Sequence, residues 1–559
     1  MSKRQPKTDY WQDAPVPREQ IVLFTTSLEE RIPDDHPVRL LDEILDQMDW
    51  IEWEAVYHGK RGQPPIHPSV LAKVLLFAMI RRIRSSRQIE YNLIHSVDFI
   101  WLASGRTIDH TTISEFRRRH QKQLKDLYRQ MVQLAINLGV AKLSELCIDG
   151  TRVLADANRY KTWTPERLQK AMQELDGEIA QALADMESSD QIDDLFDNGQ
   201  SADRLPVSLS DLQARRDQLE EAKRKLEELE AARTASGADP KKNPAQIPKT
   251  DTDARILPNK EGGYAPNYTP MVVTETVGGF IVGADVLIGN VEHACTMELV
   301  DGIVEDYTVV DDTVADDRVE CGDAETVSEP DNPVERLMGD TAFSSGENLA
   351  AAEERGIEML SPLAEPKCEN NPALREDPTA PVAEEERDRL PRNPRTKRYD
   401  KSAFVYVEEE DCYYCPEGKR LPRSGEEKKT RGGLTVIQSN YTCYDCAGCV
   451  QGADCRKNVE AKKGRKVTHD EYEGARRRHR ARMRDPSSQE RYKIRQHIGE
   501  TPFAVIKALF NVRRFLLRGH TGVQTEWLWA CTGFNLKKLM SLLAALRAAD
   551  SGNAALALS

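Results

Sequence analysis

Two aspartates stand where short apolar runs stop. Leu143-Ser144-Glu145-Leu146-Cys147-Ile148 ends in Asp149-Gly150-Thr151, and Arg336-Leu337-Met338-Gly339 ends in Asp340. Each run is too short for a helix and reads as a strand, the first of them buried, carrying a carboxylate at its end or edge. That placement suits a particular chemistry. In phosphoryl transfer, two divalent ions about 3.5–4 Å apart clamp the attacking and leaving oxygens. Hard Mg²⁺ takes carboxylate oxygens and keeps some of its waters. Two carboxylates from adjacent strands and one from a packed helix can supply such a site. Asp-Gly is also a common turn, so the pair alone does not specify the reaction.

A second group of reactive side chains is the cysteines. The chain has 11, and six crowd between Cys412 and Cys455. Cys412-x-x-Cys415 is followed by Cys443-x-x-Cys446-x-x-Cys449 and then Cys455. Thiolates two residues apart are the usual way to place two ligands on one tetrahedral zinc, and in a long reduced chain such a cluster predicts a structural metal rather than disulfides. Six cysteines exceed the four that one ion needs. A conventional ribbon would use Cys412, Cys415, Cys443 and Cys446.

These residues need elements to hold them. From about 36 to 140 the pattern is helical. Pro68 sits in the first turn of VLAKVLLFAMIRRIRS with Ser69 or His67 as its cap. Thr107 to Thr112 reads as a turn and cap before ISEFRRRHQKQLKDLYRQMVQLAINLG. Two short helices joined by a tight polar turn, the second carrying Arg117, Arg118 and Arg119, resemble a helix-turn-helix. An ordinary bundle with a basic solvated face has the same pattern. Thr164-Pro165-Glu166 starts a helix, and DLQARRDQLEEAKRKLEELEAAR continues with leucines at near-heptad spacing. Together they predict an antiparallel hairpin inserted after the first strand, or else an intermolecular coiled coil. Residues 234 to 260 read as a linker. Two β-rich runs around Gly278-Gly279 read as a hairpin. A helix from about Glu292 to Glu305 and an acidic mobile loop follow. Ser344 to Glu347 opens a helix, and IEMLSPL is the next strand. Ala364 to about Lys401 reads as a proline-rich loop. His469 to about Ala548 is helical again. The order strand, hairpin, helix, strand, helix, strand describes a mixed sheet with helices on its faces.

With 559 residues and 39% hydrophobic content, the chain is too long for one core, so several domains are expected. No run approaches eighteen apolar residues, and the charged N-terminus leads into no apolar segment, so neither a membrane span nor a secretory signal is expected and a cytoplasmic location follows. The formal net charge is −14. That sum alone argues against a nucleic-acid partner, but the charge is uneven: acidic residues dominate from Glu298 to Glu335, basic ones from Arg456 to Arg518. Binding depends on the local face, not on the sum.

The sequence becomes specific near its C-terminal end. Tyr492, Arg495, Glu500 and Lys507 stand in the order and spacing of a tyrosine–arginine–glutamate–lysine signature. This resembles bacterial insertion-sequence transposases with a DDE catalytic triad, in particular the group with an InsH-type N-terminal domain. The resemblance extends to Asp149-Gly150-Thr151, to Gly339-Asp340-Thr341-Ala342-Phe343-Ser344-Ser345-Gly346-Glu347-Asn348, to Asn535-Leu536-Lys537-Lys538-Leu539, and to the helices at about 36–140. It leaves out the first ~20 residues and the helical insertion, and four ordered motifs are far more specific than one.

The resemblance implies an RNase H-like α/β catalytic domain at 141–540 and a helical DNA-binding domain at 20–140. A helical hairpin at 164–233 and a small zinc-ribbon-like module at 404–460 would be insertions. Asp149, Asp340 and Glu500 match the triad and would hold Mg²⁺ or Mn²⁺. Arg495 and Lys507 match residues that contact the DNA backbone or orient the site, and Tyr492 the motif tyrosine; Arg117 and Arg118 are the candidates for DNA contact in the helical domain. Glu490, two residues before Tyr492, does not fit the spacing to Lys507. Pro502 is awkward inside a helix, so either a new helix starts near Thr501 or the helix kinks beside Glu500. For zinc, the family pattern points to Cys415, Cys446, Cys449 and Cys455. The implied partners are double-stranded DNA, as terminal inverted repeats and target, and a second copy of the chain; the place of action is the cytoplasm, on the nucleoid. A catalytically silent DNA-binding descendant is the alternative, and another RNase H-like nuclease such as a resolvase a third reading. His110, His120 and His479 are expected at the surface or in packing, and Trp527 and Trp529 in the core.

Overall fold

Leu146, Cys147 and Ile148 are fully buried, which is what a short apolar run gains by entering the middle of a sheet. In the computed structural model, which describes residues 27–57, 65–188, 207–259, 262–308, 332–363, 370–431, 434–461 and 464–557, this run is strand β1 (Glu145–Gly150). On one side it pairs antiparallel with β6 (Tyr264–Glu275), with Asp149 opposite Val272. β6 then pairs antiparallel with β7 (Ile281–Leu287). On its other side β1 pairs parallel with β8 (Arg336–Met338), which pairs parallel with β9 (Glu358–Leu360). The spatial order is therefore β7-β6-β1-β8-β9. Short strands β2 (Val153–Leu154) and β5 (Arg255–Pro258) extend the sheet along the first half of β6.

The β6–β7 turn contains the two glycines for different reasons. Gly279 has φ +69°, a conformation that strains other L-residues. At Gly278 an added Cβ would stand 2.3 Å from the Val140 carbonyl oxygen.

Helices cover the sheet. α10 (Thr296–Thr308) packs on β7, close enough that a Cβ at Gly283 would lie 2.8 Å from Ile303. α11 (Gly346–Glu354) connects β8 to β9 and is capped by Ser345, whose side chain accepts from the Asn348 amide. The C-terminal region supplies α12 (Glu473–Arg484), α13 (Pro486–Tyr492), α14 (Ile494–Ala504) and the long α15 (His520–Ala557). α15 is the shared spine. Trp527 donates its indole N–H to the Met271 carbonyl on β6, and Asn535 both accepts from and donates to the Ile281 backbone on β7. Both tryptophans, Trp527 and Trp529, are core residues at 1% exposure, as expected.

The N-terminal helices α1 (Pro37–Asp46), α2 (Ile51–Ala55), α3 (Pro68–Ile80), α4 (Ser86–His95), α5 (Val97–Leu102), α6 (His110–Arg119) and α7 (Gln121–Asn137) join the same hydrophobic core. α3 starts as expected: His67 accepts from the Ser69 amide and Pro68 opens the first turn. α6 begins at His110, with Asp109 as its cap.

Two further bodies interrupt the sheet. After β2, α8 (Pro165–Ser188) and α9 (Val207–Ala235) pack on each other around Leu168, Ala222 and Leu226. Arg215 meets Glu178 and Arg216 meets Asp176, so the pair runs antiparallel within one chain. Part of the segment read as a linker is structured: β3 (Thr162–Trp163) pairs with β4 (Ile247–Pro248), and β5 lies within it too. Its buried apolar residues, Ala245, Ile247, Ala254 and Leu257, are too few to show a period.

After β9 comes a five-stranded antiparallel sheet of β10 (Val405–Val407), β11 (Cys412–Tyr414), β12 (Arg420–Arg431), β13 (Leu434–Thr442) and β14 (Lys466–Asp470). Its core takes in Ala373, Val382, Leu390 and Tyr399. The proline-rich stretch read as a loop is thus packed from residue 370 onward, with Val382 donating to the Pro416 carbonyl. The acidic loop after α10 lies largely outside the described residues. Among those described, no helix is long and apolar enough to cross a membrane.

Candidate active site

β1 and β8 run parallel and pair Cys147 with Met338, so Asp149 and Asp340 follow at the same end of neighbouring strands. Each aspartate is oriented by its own backbone. Asp149 Oδ1 accepts from the Gly150 amide at 2.8 Å, and Asp340 Oδ1 accepts from the Ala342 amide at 2.8 Å. The other Asp149 oxygen meets Arg495 at 3.2 Å.

Arg495 lies on α14, which packs across β1. Burial works against its charge, but Asp149 foremost, then Tyr492, Cys147 and Asp340, outweigh that and hold the guanidinium more firmly protonated than usual. The Arg495 Nε is buried with no hydrogen-bond partner among the described residues. Tyr492, whose phenol is raised chiefly by burial, donates to the Gly339 carbonyl at 3.2 Å and so touches the strand end that carries Asp340.

Glu500 is brought to this end by its neighbour. Gly499 has its open side on β1: a Cβ there would stand 3.1 Å from Cys147 Sγ and 3.3 Å from Asp149 Oδ2. Glu500 follows directly, with an exposed side chain. Neither Gly499 nor its reason was evident in the sequence, although a glycine inside a helix beside a candidate acid was a signal, since it costs helix stability unless something requires close approach.

Pro502 neither ends α14 nor starts a new helix. The helix runs through it to Ala504, and the chain then widens into a π-type turn from Val505 to Leu509. Such turns re-aim side chains within a helix. Here the turn carries Lys507, whose Nζ donates to Thr151 Oγ1 at 2.5 Å and to the Arg152 carbonyl at 2.9 Å. A cation is thereby tied to the backbone just past Asp149. Glu490 instead pairs with Lys493 on the exposed surface.

A further carboxylate was not anticipated. Glu292 lies near Gly150, where a Cβ would stand 3.1 Å from its Cδ and Oε2. Because successive strand residues point to opposite faces, it approaches β1 from the side opposite Gly499.

Among the described residues, no three His, Cys, Asp or Glu side chains stand close enough together to hold a metal ion as they are. The donors at the strand ends nonetheless suit a hard divalent ion, being carboxylate oxygens on rigid elements with one oxygen of each aspartate pre-oriented.

The arginines expected to contact DNA differ in their surroundings. Arg118 is exposed on α6. Arg117 turns inward, donates to the Arg84 carbonyl at 2.8 Å and lies near Glu526. The basic run on α12 is largely taken up by carboxylates: Arg476 with Asp470, Arg478 with Glu353, Arg480 with Glu473 and Arg482 with Glu358. His479 is fully buried and bonds to the Ser361 carbonyl, His120 is buried, and His110 bonds to Glu90.

In the cysteine-rich sheet, burial first and neighbouring thiols after it push up the Cys415 and Cys455 thiols: Cys449 and Cys446 act on Cys415, and Cys446, Cys415 and Cys449 act on Cys455. Cys443 adjoins Cys446. Cys412 bonds to Glu410 instead. Backbone amides point at two of the sulfurs, Lys419 N–H at Cys415 (3.3 Å) and Arg465 N–H at Cys446 (3.4 Å). Gly464 lets the chain pass here, since its Cβ would fall 1.7 Å from the Cys443 carbonyl oxygen.

Comparison with known families gives two matches. Residues 414–540 match the family described as Transposase DDE domain, and residues 26–119 match that described as Transposase domain (DUF772). No curated protein and no solved structure matches the chain.

Proposed function

We infer that this chain, a DDE transposase with an RNase H-like α/β fold and a helical N-terminal region, uses Asp149, Asp340 and Glu500 as the carboxylates of its DNA-cutting site. The observation that carries the assignment is the seat of Gly499 on Asp149, which brings the helix bearing Glu500 to the strand end bearing the aspartates.

The enzyme is metal-dependent, and the divalent ion, typically Mg²⁺, supplies charge stabilisation and an activated oxygen nucleophile when bound. The chain's own residues do the rest. Asp149, Asp340 and Glu500 hold the ion by hard oxygen donors. Arg495 balances the carboxylate charge between turnovers and offers a donor to a phosphate oxygen when Asp149 is engaged. Lys507, anchored at Thr151, holds the phosphate beside the ester that is cut. Tyr492, at the end of α13, ties the chain leading into α14 to the Asp340 strand end. Water attacks the phosphodiester at the element's end, leaving a 3′-hydroxyl, and that hydroxyl attacks a second phosphodiester. No covalent bond between protein and DNA is required.

Terminal repeats and target DNA are the substrates, with Arg118 on α6 and the helical region 20–140 as the reader of the ends and two copies of the chain bridging paired ends. Cys415, Cys446, Cys449 and Cys455 hold a structural zinc, a reading supported by the amide hydrogen bonds to the Cys415 and Cys446 sulfurs, the kind of outer contact that orients metal-bound thiolates. The place of action is the cytoplasm, on the nucleoid.

The test is cleavage of a labelled duplex carrying the element's own end, with Mg²⁺ or Mn²⁺. Wild type should nick at the end, and Glu500→Gln should bind with like affinity but lose at least about a hundredfold in rate, the scale of removing one transition-state interaction. Equal cutting by both proteins would exclude Glu500 from the site.

A further inference from the structure

The most basic run in the sequence is largely neutralised by carboxylates among the described residues. The arginines of α12 are mostly paired with carboxylates, as described above. A different cluster, scattered in the sequence, comes together beside the strand that leaves the active site. An open cavity of about 470 Å³ lies between the segment after β2 and the segment before α15. Its charged lining residues are Arg159, Lys161, Arg514, Arg518 and a single carboxylate, Asp156. Asp156 is already engaged by Arg518 at 2.8 Å. Arg159, Lys161 and Arg514 are exposed; Arg159 donates to the Tyr264 carbonyl and the Tyr160 hydroxyl and Arg514 to the Ala155 carbonyl, none of them a carboxylate. Lys161 has no side-chain partner among the described residues. The excess positive charge is therefore displayed to solvent.

Position gives this charge its meaning. Leu154, which lines the cavity, is five residues after Asp149, and the segment between them is held by Lys507 at the Thr151 hydroxyl and the Arg152 carbonyl. Five residues of extended chain span at most roughly 17 Å. Along B-form DNA, at about 3.4 Å per base step, that is at most about five base pairs. The walls are fixed to the catalytic sheet: Val153 pairs with Tyr268 on β6, and Phe515 donates to the Leu154 carbonyl. A duplex with its scissile phosphate at Asp149 and an adjacent phosphate at Lys507 then continues over Arg159 and Lys161.

We propose that this groove binds the phosphodiester backbone of the duplex being cut, within about half a helical turn of the scissile phosphate. The proposal rests on the assignment of Asp149, Asp340 and Glu500 for its register, not for the existence of the groove. The contact is to phosphates, so it adds affinity and fixes register without reading base sequence.

The test uses the full chain with Arg159→Gln and Lys161→Gln combined. Binding is measured against salt concentration on a duplex carrying the element's end and on an unrelated duplex of equal length. On the end duplex, the slope of log K against log salt should fall by about 2, because each lost phosphate contact removes about 0.9. Affinity at moderate salt should drop about tenfold or more. Arg159→Lys with Lys161→Arg, which keeps both charges, should retain the wild-type slope; retention there also shows that the glutamine variant's loss is one of charge. An unchanged slope on the end duplex, or a loss confined to the unrelated duplex, overturns the proposal. Failure of the catalytic assignment looks different: Glu500→Gln would then cut like wild type whatever the groove variants do.

Discussion

Gly499 on α14 faces Asp149 on β1 so closely that a methyl group would stand 3.3 Å from Oδ2 and 3.1 Å from Cys147 Sγ. The helix that carries Glu500 lies this close to the strand end because that side chain is absent. Gly499→Ala gains up to about 1 kcal/mol of helix propensity but must push α14 outward by a few tenths of an ångström. Its thermal midpoint should change little while cleavage falls severalfold. Gly499→Val cannot be accommodated that way. It should lose cleavage by at least about a hundredfold, a loss of the size a 1 Å misplacement brings, with end-duplex binding close to wild type. Cleavage and binding assays on the three proteins distinguish these outcomes.

Asp109 caps α6 by accepting from the Thr111 amide (2.8 Å), the Thr112 amide (2.9 Å) and the Thr112 hydroxyl (2.6 Å). These bonds, the Thr112 hydroxyl first, hold its carboxyl down at about 2. The folded value lies below the unfolded one, so the stabilisation is present above about pH 4 and is lost as pH falls through about 2. Asp109→Ala should cost about 1 kcal/mol at pH 7, and the difference from wild type should shrink toward pH 2. Asp109→Asn, which still accepts, should cost less. Urea midpoints at pH 7 and pH 3 check the sign. A difference that grew on acidification would refute the capping account.

Glu526 joins the N-terminal helices to the catalytic half. It is 2% exposed, accepts from the Leu516 and Leu517 amides at 2.8 and 2.9 Å, and pairs with Arg84, whose carbonyl takes the bond from Arg117. Glu526→Ala leaves the half-buried Arg84 guanidinium without its carboxylate and two amides without their acceptor and should cost about 3 kcal/mol, read as a drop in thermal midpoint. Arg84→Met with Glu526→Gln removes both charges together and should recover part of that loss.

How far the site was legible follows from the kind of order each part has. Strand ends carrying Asp149 and Asp340, and the spacing from Tyr492 to Lys507, are local patterns, and local patterns survive in sequence. So do caps such as His67 and Ser345, which depend on neighbours two or three residues away. What escaped depends on contacts across the fold. Gly499 is explained only by Cys147 and Asp149 some 350 positions earlier. Arg117 reads as a surface cation until Arg84 and Glu526 are beside it. Val382 and Leu390 carry no period and look like loop residues, yet they close the core of the cysteine-rich sheet.

The cysteine-rich sheet has a small core of its own and a zinc proposed at Cys415, Cys446, Cys449 and Cys455. The purified protein should therefore carry about one zinc per chain, released by a strong chelator or a thiol-blocking mercurial. Cys449→Ser should lower both the zinc content and the thermal midpoint. Cys412→Ser should leave the metal in place, because Cys412 bonds to Glu410. Equal loss from both variants would favour the ligand set that includes Cys412.

Lys507 offers the sharpest separation of charge from position. Its ammonium is tied to Thr151 Oγ1 and to the Arg152 carbonyl, so the charge is held at the strand end. Lys507→Met removes the charge and should reduce cleavage about tenfold to a thousandfold while weakening end binding only modestly. Lys507→Arg keeps the charge but replaces a compact point donor with a wide planar fork, so its recovery should be partial. Thr151→Val keeps the lysine and removes one tether. If Lys507 acts as an anchored cation, that variant should lower cleavage by less than Lys507→Met and show no change in the salt dependence of binding. A Thr151→Val protein as inactive as Lys507→Met would instead assign the essential role to the threonine hydroxyl.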